Sequence, residues 1–251
     1  MIENLKTLKY SFSNHNIETE VEEELNKYLI SIKKENLSTA LNYIIKEILG
    51  NANKANMKRV HFFRFDLDIN SDSDYEEGMK NFRDELTEKY DTYTRKAKEL
   101  GYYIRVDFYL SKGYFVLLVT NNSPLLPLEK KRYAEKIDKS LEFNSIEEAF
   151  ISGLDQEESA GFGIILIILM LRKVGLSVKS LRLIDKKNFT QVQILVPLTL
   201  LQKEDENIIS GEIVKEIEEI PQFPQHIIQL QKILNNPNAN FNNISEIVKK
   251  D

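Results

Sequence analysis

The segment Lys46–Asn56, KEILGNANKAN, constrains this chain more than any other, because it fixes a buried face and a polar stripe together. Leu41, Ile44, Ile45, Ile48, Leu49, Ala52 and Ala55 recur at three- and four-residue intervals, the mark of a helix with one side in a core. Glu47 lies four residues before Asn51, and Lys54 three after it, so the three polar side chains stack along one stripe. A carboxylate, an amide oxygen and an ammonium in a row suit a hydrated Mg2+ carrying phosphates, since magnesium takes oxygen ligands and keeps its waters. A surface helix with a merely solvated polar side has the same spacing, so the decision rests on the residues downstream.

The chain has 251 residues, enough for one large domain or an ordinary domain with a fragment of another. Its net charge of -5 argues against nucleic acid as the main partner, because phosphate-backbone binding needs a basic surface. With no cysteine, disulfides, thiolate zinc sites and cysteine nucleophiles are excluded. The N-terminus has no apolar leader, and the greasy run Phe162 to Leu171 is about half of the roughly 20 residues that a membrane span needs. A cytosolic protein with no membrane partner is expected.

Along the chain, Leu5 to Phe12 reads as an edge strand and Glu18 to Lys34 as an amphipathic helix. Asn36 or Ser38 is expected to cap the helix that carries Glu47 and Asn51, which should end near Ala55. Arg59 to Ile69 alternates and is aromatic, so a strand is expected there. One charged helix should follow from about Tyr75 to Leu100. Asp66, Asp68, Asn70, Asp74 and Glu77 fall at calcium-loop positions, but Ser71 stands where the loop needs glycine, and a solvated loop is the plainer reading. Tyr102 to Leu110 and Tyr114 to Thr120 should form a hairpin around Ser111-Lys112-Gly113. Residues 129–157 read as short helical pieces, Ile164 to Val174 as an apolar helix, and Leu176 to Ile184 with Thr190 to Leu198 as a last strand pair. His15, His61 and His226 share no spacing and read as structural.

In this order the chain presents E-x-x-x-N-A-x-K-A on a helix, a strand ending in VTNNSPLLP, SAGFGI opening another helix, and a final strand FTQVQILVPL. The series resembles the ATPase domain shared by histidine kinases, DNA gyrase, heat-shock chaperones and mismatch-repair ATPases, the GHKL superfamily. The resemblance covers roughly residues 15–200. It implies that Glu47 is the catalytic acidic residue that orients or activates a water, that Asn51 is the Mg2+ ligand, and that Lys54 meets phosphate. It also implies that Asn121 faces adenine, and that backbone amides around Gly161, Phe162 and Gly163 cradle phosphate at a helix start. The first glycine box departs from the family's V-x-D-N-G-P-G-I-P. Asn121 replaces the adenine-binding aspartate, and Ser123 and Leu125 replace the two glycines. An amide oxygen still accepts from adenine, without charge assistance. No helix bearing a phosphorylatable histidine precedes the domain, so autokinase activity is not expected.

Residues 220–251, IPQFPQHIIQLQKILNNPNANFNNISEIVKKD, resemble the opening of an HDOD domain, a helical bacterial signalling module, with only its first two helices. Taken together, the expected fold is an α/β (α+β) two-layer sandwich. Its sheet should be mixed and mostly antiparallel with helices on one face, in a histidine-kinase-like ATPase domain over residues 1–200 with an inserted helix at about 70–100. A linker over 201–219 and the HDOD-like fragment follow. The resemblance implies a bacterial cytosolic signalling protein that binds ATP or ADP with Mg2+ and has at most weak turnover. The alternative is a degenerate, non-nucleotide-binding interaction or dimerisation module that regulates the attached HDOD region through a protein partner or homodimer.

Overall fold

A computed structural model describes residues 2–146, 148–149 and 162–199. The chain divides into two units between residues 213 and 214, and every described residue belongs to the first. Gly161, the linker over 201–219 and the HDOD-like stretch 220–251 lie outside the described residues.

The domain is α+β. Strand β1 (Ile2–Tyr10) leads to α1 (His15–Ser31), α2 (Ser38–Arg64), α3 (Asp72–Glu88) and α4 (Tyr90–Glu99). Strands β2 (Ile104–Ser111) and β3 (Tyr114–Asn121) follow, then α5 (Pro127–Ser140), α6 (Phe162–Lys173), β4 (Leu181–Lys186) and β5 (Phe189–Pro197). The five strands form one sheet in the order β1-β2-β3-β5-β4. All four pairings are antiparallel, where a mixed sheet is expected from the sequence. Short turns join β2 to β3 and β4 to β5, while helices connect β1 to β2 and β3 to β4. Lys112 and Gly113 both take positive φ (49° and 78°) in the β2–β3 connection, matching the twist of the strands they join.

Ile104, Val106 and Phe108 of β2 stand in register with Asn121, Val119 and Leu117 of β3, which pair in turn with Thr190, Val192 and Ile194 of β5. Most of these side chains are buried. Tyr28 of α1 packs its ring on Phe108 and Phe115, which sets α1 on this side of the sheet. The apolar face of α2 supplies Leu41, Ile44, Ile45, Ile48 and Leu49, all buried as the periodicity requires. Removing this apolar area from water is the main force holding the two layers together.

The strand expected over Arg59–Ile69 is absent: α2 runs on through Ala55 to Arg64. Asn56, Met57, Val60 and His61 continue the buried stripe at helical spacing, and this outweighs the β preference of the aromatic residues. Met57 and Val60 pack with Phe82 of α3 and with Tyr93 and Ala97 of α4 in a second, smaller core. The one helix expected over 75–100 is two, broken at Lys89, which turns Tyr93 and Ala97 of α4 inward. Neither Asn36 nor Ser38 caps α2, whose cap position is Leu37 with no side-chain bond.

The side chains of the acidic loop bond within the loop and to the start of α3. A helix rather than a strand enters the loop, Ser71 caps α3, and Asp74 accepts from the Asp68 amide and the Ser71 hydroxyl. Among the described residues no three His, Cys, Asp or Glu side chains converge to hold a metal. No described helix is long and apolar enough to cross a membrane.

Candidate functional site

A cavity of about 900 Å³ opens between α2, α5, the start of α6 and the end of the sheet. Asn51 and Lys54 line it from α2, with Ile48, Ala52 and Ala55 beside them. Asn121 and Val119 line it from β3, Thr190 and Val192 from β5, and Ile164 and Ile167 from α6. The asparagine stripe and the end of β3, 70 residues apart in sequence, therefore share one hollow.

Asn121 is held by its amide nitrogen. Its Nδ2 donates to Asn56 Oδ1 (3.3 Å) and to the Ser123 carbonyl (3.4 Å), which leaves its carbonyl oxygen as the group to meet a ligand. Asn56, with no solvent exposure, also accepts from Ser123 Oγ (2.7 Å) and donates to the Tyr103 carbonyl (3.1 Å). Thr190 Oγ1 donates to the same Ser123 carbonyl (2.7 Å). These bonds tie α2, β3 and β5 at the floor of the cavity.

The loop from Ser123 to Leu126 is clamped rather than strained. Arg59 donates to the Pro124 carbonyl (2.6 Å), and the Leu125 and Leu126 amides donate to Asp185 and Glu129. Among the described residues the non-glycine positions with positive φ are Asn4, Lys33, Asp66 and Lys112, so Ser123 and Leu125 need no left-handed backbone. Leu125 keeps its bulk in the cavity wall.

Glu129 anchors the first turn of α5 to α2, at 2.6 Å from Lys58 and 2.9 Å from Arg59. Burial would raise its carboxyl, but the Arg59 bond and the two positive charges outweigh it and hold the group down at about 2. Burial also pushes the Tyr133 hydroxyl up to about 12.

Glu47 is placed differently from Asn51 and Lys54. It does not line the cavity; its carboxylate is half-buried against Gly163 at the start of α6. Burial raises its carboxyl, Glu18 adds to the rise, and Lys54 opposes it. Phe162 and Gly163 form the first turn of α6, whose next residue, Ile164, lines the cavity.

Sequence reasoning missed Asn56 and Thr190 at the floor, and it read α5 only as short helical pieces within 129–157, without placing it at the cavity. Arg132, Lys136 and Lys139 follow at helical spacing and line the cavity, joined by Arg83 of α3 and by Lys58. With Lys54 they make six basic lining residues against the two carboxylates Glu129 and Glu135, in a chain of net charge -5. The spacing of Arg132, Lys136 and Lys139 was the available signal. His61 is structural: it is buried, with Nδ1 against the Tyr93 hydroxyl and Nε2 at 2.8 Å from the Gly78 carbonyl.

Comparison with known proteins finds no matching family model and no matching solved structure. An uncharacterized protein of Treponema pallidum (strain Nichols) is 32% identical over 211 residues, covering 84% of this chain and 41% of that protein. The chain thus spans less than half the length of the curated relative it matches.

Proposed function

We propose that this domain is a histidine-kinase-like, GHKL-type module that binds a nucleoside polyphosphate, ATP or ADP with Mg2+, and serves signalling rather than turnover. The observation that carries this reading is the shared hollow: Asn51 and Lys54 line the same cavity as Asn121, whose free carbonyl oxygen suits an adenine amino group. A volume of about 900 Å³ holds a nucleotide with room for its solvent. Asn51 alone is a thin metal site, but magnesium that keeps its waters and shares ligand phosphates needs little more from the protein. Glu47 would have to reach a water beside the outer phosphate to act as a base. Its position behind Gly163, outside the cavity lining, is why we assign little or no hydrolysis. With the HDOD-like resemblance of residues 220–251, the domain would report nucleotide state to an attached module in a bacterial cytosolic protein.

Isothermal titration of ATP and ADP tests the reading, with and without Mg2+, against the wild type and the Asn51→Ala and Asn121→Ala variants. Asn51→Ala should weaken binding mainly when Mg2+ is present, and Asn121→Ala should weaken it in both conditions. Affinity that is unchanged in both variants would sink the reading.

Leu125 supports a second reading, a degenerate interaction or dimerisation module, because it fills part of the wall where the family keeps glycine. A wild-type chain that stays silent to both nucleotides yet self-associates in sedimentation would favour it.

A further inference from the structure

We propose that α5 is an anion-binding wall. Arg132 and Lys136, with Arg83 of α3, neutralise the phosphates of the cavity's ligand in addition to the α2 residues Asn51 and Lys54, so that phosphate binding persists when Mg2+ is chelated. This rests on the nucleotide reading for the ligand's class but on different residues: none of the three belongs to the motifs behind that reading.

Around the cavity the fold leaves positive charge without an ion-pair partner. Lys58 is matched by Glu129, which also takes Arg59. Glu135 leans toward Lys131 at 3.9 Å. Arg132, Lys136 and Arg83 have no ion-pair partner among the described residues, although all three line the cavity. Arg132 and Lys136 are one turn apart on α5, where like charges repel unless an anion lies between them. Tyr133 stands on the same helix and lines the same cavity, and its hydroxyl is buried with no hydrogen-bond partner. A buried donor without an acceptor points to a ligand that supplies one. The guanidinium of Arg132 suits phosphate geometry, and Lys136 adds a mobile point charge. A hollow walled by helices and a sheet end admits a small polyanion and excludes a nucleic-acid duplex, in keeping with the acidic chain as a whole.

The test is titration calorimetry in EDTA with ATP, adenosine and inorganic tripolyphosphate, on the wild type and on Arg132→Ala/Lys136→Ala, with thermal melts to check folding. The wild type should bind ATP at least tenfold more tightly than adenosine. The double variant should lose at least tenfold for ATP and show a flatter salt dependence, while adenosine affinity stays unchanged. ATP binding no tighter than adenosine, or unaffected by the double substitution, overturns the wall and leaves the nucleoside site standing. Tripolyphosphate binding as tightly as ATP keeps the wall and removes the nucleoside from the proposed function. No binding of ATP or tripolyphosphate overturns the wall as well.

Discussion

Gly163 lies against the Glu47 carboxylate so closely that a Cβ on it would fall 2.0 Å from Oε2 and 3.0 Å from Cδ. Two segments more than 100 residues apart in sequence, the α2 stripe and the start of α6, are thus fitted to each other at a glycine. The glycine is needed there for close approach, not for an unusual backbone angle.

Gly163→Ala should therefore move Glu47 rather than unfold the domain. The carboxylate is the far end of a flexible side chain, and alanine favours the helix by about 1 kcal/mol, so net stability should change by no more than about 1 kcal/mol. Swung outward, Glu47 loses the burial that raises its carboxyl. Carbon-detected NMR titration should find Glu47 above its ordinary 4.5 in the wild type and nearer to it in the variant. The same titration curve in both proteins would mean that the contact does not govern Glu47.

Glu129 offers a pH test with a defined sign. Its carboxyl is held at about 2 in the fold against an ordinary 4.5, so its stabilisation is complete above pH 4.5 and disappears as the pH falls toward 2. The shift corresponds to about 3 kcal/mol at neutral pH. Glu129→Gln removes the charge and leaves Lys58 and Arg59 unanswered at a site where the three side chains are 11–15% exposed. Urea unfolding should show the variant less stable by about this amount at pH 7, with the gap narrowing below pH 4. A gap that is constant down to pH 2.5 would contradict the assignment.

Some of this was legible in the sequence, for identifiable reasons. The buried face of α2 from Leu41 to Ala55 and the hairpin around Lys112 and Gly113 follow from local periodicity and turn chemistry, and both are where the pattern puts them. The strand reading of Arg59–Ile69 failed because alternation was counted without the stripe that precedes it. Phe63 and Phe65 are largely exposed, while Val60 and His61 face the small core that the inserted helices provide. Which partner a helix will find is a tertiary fact. Spacing alone put Asn51 and Lys54 on one helical stripe, and only the packed fold turns that stripe to a cavity. Asn56, Ser123 and Thr190 could not be joined from spacing, since their bond network forms only once α2, β3 and β5 meet.

His61 should make the small core sensitive to mild acid. Burial holds its ring below the ordinary 6.5, the Gly78 carbonyl and Glu85 oppose that, and Arg64 adds to it. A folded value below the unfolded one means that stability is complete above about pH 6.5 and falls as the pH drops, because the unfolded chain takes the proton first. Protonation would also remove the acceptor that Nδ1 offers to the Tyr93 hydroxyl. Unfolding free energies between pH 8 and 5 should fall more steeply for the wild type than for His61→Phe. Parallel curves would show that the ring titrates as it does in water.

Asn56 is where fold and site meet. It is fully buried, accepts from Ser123 and Asn121, and donates to the Tyr103 carbonyl. Asn56→Ala strands Ser123 Oγ and the Tyr103 carbonyl and takes one of two bonds from Asn121 Nδ2; at about 1–3 kcal/mol for each group left unmatched, a loss of at least about 2 kcal/mol is expected. Ser123→Gly removes only one donor and should cost about 1 kcal/mol. If these residues act as one network, their effects will not add, and a double-mutant cycle should return about 0.5–3 kcal/mol of coupling. Additive losses would mean that Ser123 and Asn56 contribute separately.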